Sequence, residues 1–282
     1  MTRRIFAKVT RETLPQVKDR YPFLYLEHGR LEIDDSSIKW IDSDCHVVRL
    51  PCATINALLL GPGVAVTHDA IKTLAASNCT VCWVGEDGLL FYALGQTPTA
   101  DTRNMRRQML LAADPVKAEA VARRMFARRF PQADLTGKNI MEMRGMEGYR
   151  VRALYEEFGQ KYGVGWKGRS YQPGKFEVSD ITNQYLTAAN AALYGILSAA
   201  IHSIGYSPHI GFIHSGCPLP FVYDMADLYK EHLCMDLAFA LTLQNAGKYD
   251  RHLISEEFRK RVLESDLLGC IGTDINAMLK EG

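Results

Sequence analysis

Hydrophobic and polar residues alternate in short runs over roughly the first hundred positions, and turn residues separate the runs. Alternation with a period of two predicts half-buried β-strands. The predicted strands are residues 23–27, 31–33, 38–41, 47–50, 55–60, 80–84 and 89–93. The glycine-containing turns at 28–30 and 85–88 predict hairpins, and Thr67 predicts the N-cap of a short helix ending near Ser77.

The period changes to about 3.6 near residues 95–99, which indicates helices from there almost to the end. The predicted helices are residues 101–113, 114–130, 181–203, 222–246 and 255–268, with a glycine-rich interruption at 163–177. Asp114 followed by Pro115 is typical of an N-cap with Pro in the first turn. We therefore predict an α+β chain with a β-rich domain over residues 1–96 and an all-α domain over 97–282.

The composition is that of a globular protein, with 47% hydrophobic and 23% charged residues. The basic N-terminus has no apolar segment of the kind a secretory signal needs. The most apolar helix, near 188–201, is interrupted by Asn190 and Ser198 and is too short to cross a bilayer. Seven scattered cysteines indicate reduced thiols, and Cys79 and Cys82 lie within a strand pattern, which favours a structural role. We expect a cytoplasmic protein.

Positive charge is concentrated in the first helical segment. Residues 101–150 carry 11 Lys and Arg against 6 Asp and Glu, a local net charge of +5 in a chain of net charge +1. Four arginines of the second predicted helix form one stripe: Arg123, Arg124, Arg128 and Arg129. The guanidinium fork matches phosphate oxygens. The stripe is therefore a phosphate-contacting surface for nucleic acid, a solvated helix face or a dimer interface.

A histidine and two aspartates follow one another between Gly205 and Lys230. His214 lies in a turn rich in Gly and Pro, which cannot continue a helix. Asp224 and Asp227 have helical i, i+3 spacing, so both carboxylates point to one side. An imidazole and two carboxylates can form a mixed site for a divalent ion. The alternative is a solvated helix face on which the helix dipole favours acids.

Glu147 is a further acidic candidate, with glycines close on both sides. Glycine lets a backbone or a ligand approach closely. The charges of Arg150 and Arg152 favour both an ionised Glu147 and a phosphate beside it. A simple i, i+3 ion pair with Arg144 is the alternative explanation.

Three separated motifs, RGMEGYRVRALY, GFIHSG and FVYDMADLYK, resemble in order and separation the metal-site motifs of the CRISPR-associated spacer-acquisition integrases, the Cas-one family. The resemblance covers nearly the whole chain, includes FLYLEHGRLEI and KYGVGWKGRSY, and is strongest to the type I-E branch. It implies an N-terminal β-domain and a helical catalytic domain, which agrees with the division that the pattern predicts.

The resemblance also implies site residues. Glu147, His214 and Asp227 match the ligands of one Mg²⁺ or Mn²⁺ ion, and Asp224 matches the companion acid. Tyr194 matches a tyrosine near the family's active site, although a Tyr on an apolar helix is also common in a core. The residues expected to bind DNA are Arg123, Arg124, Arg128, Arg129, Arg150, Arg152 and Lys230.

The implied function is insertion of new spacers into a CRISPR array by attack of a DNA 3′-hydroxyl on a phosphodiester, with nicking or resolution of branched DNA by the same site. The implied partners are protospacer and repeat DNA, a second copy of the chain and a Cas-two dimer. Some type I-E relatives continue into a tail that docks the Cas-two partner, whereas this sequence ends at Gly282, so the docking mode stays open. A small-phosphoester hydrolase and a non-catalytic DNA-binding scaffold are the alternatives.

Overall fold

The computed structural model describes residues 15–16, 19–34, 37–85, 91–95, 102–170 and 179–280. It has the predicted α+β architecture, a β-sheet region followed by a mostly helical region. The strands are Tyr21–Leu26 (β1), Gly29–Asp34 (β2), Ser37–Asp42 (β3), Val47–Leu50 (β4), Ile55–Leu60 (β5), Val64–Val66 (β6), Thr80–Val84 (β7) and Phe91–Gly95 (β8). The helices are His68–Ala76 (α1), Arg103–Ala113 (α2), Pro115–Arg129 (α3), Ile140–Tyr162 (α4), Ile181–Ser203 (α5), Pro220–Ala226 (α6), Asp236–Gln244 (α7), Arg251–Glu264 (α8) and Leu267–Met278 (α9).

The strands form two four-stranded sheets, of order β1-β5-β7-β8 and β4-β3-β2-β6. The predicted hairpin between the first two strands is wrong, because β1 pairs in parallel with β5 while β2 pairs with β3 and β6. Instead, the segments that follow β1 and β5 run side by side from one sheet to the other. His28, with φ of 52°, donates its N–H to Pro62 at 3.0 Å, and Gly61 donates to Leu26 at 2.8 Å. The turn residues Gly61-Pro62-Gly63 after β5 therefore form part of this crossover.

Other local predictions are confirmed. β5 and β7 have the predicted bounds, and the Thr67 side chain accepts the N–H of Ala70 at the start of α1. β8 pairs antiparallel with β7 as expected. Most of the predicted hairpin turn, residues 86–88, and the first two residues of the predicted strand, 89–90, lie outside the described residues. Asp114 caps α3 by accepting the N–H groups of Val116 and Lys117.

β5 is buried on both faces and separates two cores. Ala57 and Leu59 face a large core shared with the helices, whereas Leu58 and Leu60 face a smaller core between the two sheets and α1. Helix α5 packs directly on β5, and a Cβ added at Gly195 would lie 3.0 Å from Leu59 Cδ2. The large core thus joins strands and helices, and the predicted boundary at residues 96–97 stays a prediction.

The predicted helix over residues 222–246 is interrupted. Helix α6 ends at Ala226, a turn follows, and a π-helical turn at Glu231–Met235 leads into α7. The predicted helix over 255–268 is two helices, α8 and α9, separated where Asp266 has φ of 49°. In the part of the chain that the structure describes, no helix combines the length and hydrophobicity needed to span a bilayer.

Candidate metal centre

Asp224 is fully buried in α6 and holds the loop that carries His214. Its Oδ2 accepts the N–H groups of Phe212 at 2.6 Å and Ile213 at 3.2 Å. Its Oδ1 accepts the N–H of His214 at 2.9 Å and the ring Nδ1–H at 2.8 Å. A carboxylate has about four acceptor sites, and four donors occupy these. The geometry therefore gives Asp224 the role of positioning His214.

The bond to Asp224 also determines which ring nitrogen of His214 is available. Because Nδ1 donates to a carboxylate, Nε2 is the nitrogen left to bind an ion. The hydrogen bond to Asp224 raises the pKa of His214 above its ordinary value. Nε2 lies 3.9 Å from Asp227 Oδ2, and two ligands at about 2.1 Å from one Mg²⁺ ion lie at most about 4.2 Å apart.

Asp227 ends α6 as its C-cap residue, with its side chain only 9% exposed. Lys230 Nζ donates to Asp227 Oδ1 at 2.8 Å, and Arg129 Nη1 lies 3.5 Å from Oδ2. Burial works to raise the pKa of Asp227, but the charges of Lys230 and Arg129 outweigh burial and hold it below its ordinary value. Asp227 is therefore an anion, as a ligand for a hard cation must be.

Glu147 reaches the same place from α4. Its Oε1 lies 2.5 Å from Arg129 Nη2, so it pairs with the last residue of α3 rather than with Arg144. A Cβ added at Gly145 or Gly148 would meet nothing within 4 Å among the described residues. The backbone of α4 is therefore uncrowded at these two glycines.

Tyrosines and a lysine flank the carboxylates. The Tyr194 ring contacts Tyr223 edge-on at 4.9 Å, and Tyr223 contacts the ring of His214 at 5.9 Å. Lys230 Nζ lies 5.1 Å from the centre of the Tyr194 ring. Burial raises the pKa of Tyr194, so its hydroxyl stays protonated at neutral pH.

A cavity of about 600 Å³ opens over this group. Arg128, Arg150 and Asn190 line it together with Arg129, Glu147, Tyr194, His214, Asp227 and Lys230. Asn190 was not predicted from the sequence as a site residue, and its buried Oδ1 accepts no hydrogen bond from the described part of the chain. Its spacing of i, i+4 from Tyr194 on α5 places both on one helix side, and that spacing is the signal that identifies it.

The four arginines of the predicted stripe lie in different environments. Arg123 donates to the carbonyls of Leu135 and Lys138 at 2.9 and 2.8 Å, and Arg124 donates to Met278 at 2.7 Å. These bonds hold both guanidinium groups against the protein's own backbone, and each group has further N–H donors. The four side chains therefore do not form one free surface.

Three other predicted DNA-binding positions lie on α3 and α4. Arg128, with a side chain 62% exposed, lies 3.6 Å from Asp274. Arg150 pairs with Glu231 at 2.8 Å. Arg152 is exposed on α4. Of these three, Arg128 and Arg150 reach the cavity.

Two other groups of metal-ligating or nucleophilic side chains are less suitable as an active site. Among the described residues, Asp42, Asp44 and His46 are the group of three whose ligand atoms all lie within 4.8 Å of one another, but they bond to each other in an exposed turn. The ligand atoms of Glu147, His214 and Asp227 do not all lie within 4.8 Å of one another, and Arg129 contacts both carboxylates. Cys79 and Cys82 are buried, and burial raises the pKa of Cys82 to about 12, which excludes a thiolate nucleophile near neutral pH.

Two carboxylates and an imidazole beside a basic cavity are typical of proteins that act on phosphodiesters with a hard divalent ion. The profile of the family described as "CRISPR associated protein Cas1" matches residues 23–132 and 126–265. The chain belongs to the Cas1 family.

Individual relatives agree with this assignment. The chain is 67% identical over 276 residues to "CRISPR-associated endonuclease Cas1 2" of Chlorobaculum tepidum, covering 98% of this chain and 93% of the relative. It resembles the chain in "Crystal structure of TtCas1-DNA complex" with a TM-score of 0.82 and 36% identity, over 92% of each chain. It shares only its fold with a chain in "Cas6-RT-Cas1--Cas2 complex", at a TM-score of 0.60 and 16% identity, over 85% of this chain and 30% of that one.

Proposed function

We propose that this protein is a divalent-metal-dependent DNA endonuclease and integrase that inserts new spacers into a CRISPR array. The observation that carries the proposal is that Glu147, His214 and Asp227 line one basic cavity, in which Arg129 contacts both carboxylates. The donor set fits Mg²⁺ or Mn²⁺, because both ions accept carboxylate oxygens and tolerate one imidazole nitrogen. When bound, such an ion lowers the pKa of an attacking hydroxyl and stabilises charge on the phosphate.

The chain's own residues position the reactants. Asp224 orients His214, and Lys230 stays on the far oxygen of Asp227, so the ligand side chains are held before substrate arrives. Arg128 and Arg150 at the cavity supply the positive charge that a DNA backbone needs. A DNA 3′-hydroxyl as nucleophile gives strand joining, and water gives nicking.

The finer assignments rest on the resemblance of the motifs. They are the type I-E branch, a homodimer, a Cas-two dimer as partner and a cytoplasmic location. The related TtCas1 forms a complex with DNA, which supports DNA as the ligand of this chain. The exposed arginines at the cavity favour a long polyanion over a small phosphoester, and the full donor set favours catalysis over a scaffold role.

Asp227→Asn tests the proposal, because the amide keeps the shape and removes the charge that a hard cation needs. With the purified Cas-two partner, labelled protospacer and repeat DNA, we expect strand transfer and nicking in Mg²⁺ to fall to background. Circular dichroism checks folding of the variant. Wild-type joining by a folded Asp227→Asn protein would exclude the assigned site.

A further inference from the structure

We propose that Arg129 is an internal counter-cation of the metal centre, which holds Glu147 and Asp227 until a divalent ion displaces it. The inference rests on the proposed function, since it requires both carboxylates to be metal ligands. It makes Arg129 a positioning residue that acts on the ligands, rather than one more cation of a DNA-binding stripe.

The contacts of Arg129 carry the proposal. Its side chain is only 10% exposed, and its two terminal nitrogens reach one carboxylate each, Glu147 at 2.5 Å and Asp227 at 3.5 Å. The guanidinium also lies 5.6 Å from the centre of the Phe130 ring. A planar fork of this kind can bridge two carboxylates, whereas an ammonium is a point charge. Arg129 thus places one positive charge between two largely buried acids.

The atoms show why an ion and Arg129 compete. Asp227 Oδ1 is engaged by Lys230 at 2.8 Å, so Oδ2 is the oxygen available to a metal. Oδ2 faces Arg129 at 3.5 Å and His214 Nε2 at 3.9 Å. An ion bound to both Oδ2 and Nε2 would lie about 2.1 Å from each, and it would take from Arg129 the same oxygen, Oδ2, that the guanidinium faces. Lys230, on the other oxygen, can stay.

Removing the guanidinium should therefore strengthen metal binding. Charge-neutral Arg129→Gln leaves two acids without their bridge, so the metal-free protein should melt at a lower temperature and gain more in Tm from Mn²⁺ than wild type. We expect a Mn²⁺ Kd about tenfold lower than wild type, which corresponds to about 1.4 kcal/mol. Arg129→Lys, which can pair with one carboxylate only, should lie between the two.

The experiment is a titration of the full-length protein with Mn²⁺ without DNA, in which the free ion is measured by electron paramagnetic resonance. Lys117→Gln is the matched control, because it removes one positive charge from the same helix at an exposed side chain that pairs with Asp114 and does not line the cavity. Tighter binding by Arg129→Gln, with Lys117→Gln near wild type, supports the proposal. Unchanged or weaker binding by a folded Arg129→Gln overturns it.

Two further variants keep the outcome interpretable. If Arg129→Gln does not fold without metal, Arg129→Lys decides, and wild-type Mn²⁺ affinity in that variant overturns the proposal. Asp227→Asn separates the two hypotheses. If it binds Mn²⁺ as wild type does, the metal site itself is wrong, whereas loss of Mn²⁺ binding there with no gain in Arg129→Gln refutes only the role of Arg129.

Discussion

Asp224→Asn is the substitution for which the structure gives the sharpest expectation. The wild-type carboxylate receives four hydrogen bonds, two on each oxygen, from three backbone N–H groups and the ring of His214. Asparagine has one acceptor oxygen, so its amide nitrogen must face two of those donors. Two bonds are lost, and an N–H group points at other N–H groups in a fully buried place.

The magnitude follows from these contacts. A hydrogen bond to a charged group contributes about 1.5–3 kcal/mol, so losing two should lower the free energy of unfolding by about 3–6 kcal/mol. Proteins have total stabilities of about 5–15 kcal/mol, so the variant should still fold at low temperature. For a large domain each kcal/mol shifts Tm by about 2–4 °C, which predicts a fall of roughly 6–24 °C.

Thermal unfolding followed by circular dichroism measures this fall, and Asp114→Asn is the control. Asp114 is an N-cap with a side chain 42% exposed, where asparagine caps as well as aspartate, so the Tm of Asp114→Asn should barely move. At a temperature where Asp224→Asn is folded, strand transfer should fall by about 10–100-fold, because His214 is no longer held. A Tm within a degree or two of wild type would refute the reasoning that Asp224 anchors the loop.

Two further predictions concern stability away from the donor set. Gly145→Ala should raise the free energy of unfolding by about 0.5–1 kcal/mol, because alanine favours a helix interior and its Cβ meets nothing within 4 Å. Gly195→Val should lower the free energy of unfolding by about 1–3 kcal/mol, because the larger side chain overpacks against β5. Urea unfolding of both variants checks the contrast, and an equal effect at the two glycines would contradict it. Burial works to raise the pKa of Asp236, but hydrogen bonds from Lys161, Tyr162 and Arg261 outweigh burial and lower it, so its contribution is present above the ordinary aspartate pKa of about 3.9 and is lost as the pH falls through the lowered value. The stability difference between wild type and Asp236→Asn should accordingly be seen at pH 7 and shrink in acid, and a difference independent of pH would exclude this origin.

Local features of the fold could be predicted from the sequence alone. The change from period two to period 3.6 separates the strands from the helices, and Thr67 and Asp114 begin their helices where expected. These signals are local, since a cap or an amphipathic stripe depends on residues a few positions apart. The motifs around Glu147, His214 and Asp227 indicated, through their resemblance to a family, three residues that line one cavity.

Only the tertiary structure shows which strands pair and which side chains contact one another. The sequence could not show that β1 pairs with β5 across the chain, that Arg123 and Arg124 bind backbone carbonyls, or that Arg129 bridges two carboxylates. It also could not separate the roles of Asp224 and Asp227, which have the same chemistry and are one helical turn apart. The difference arises because one carboxylate meets four loop donors in the core while the other faces cations and a cavity, and those neighbours come from distant parts of the chain.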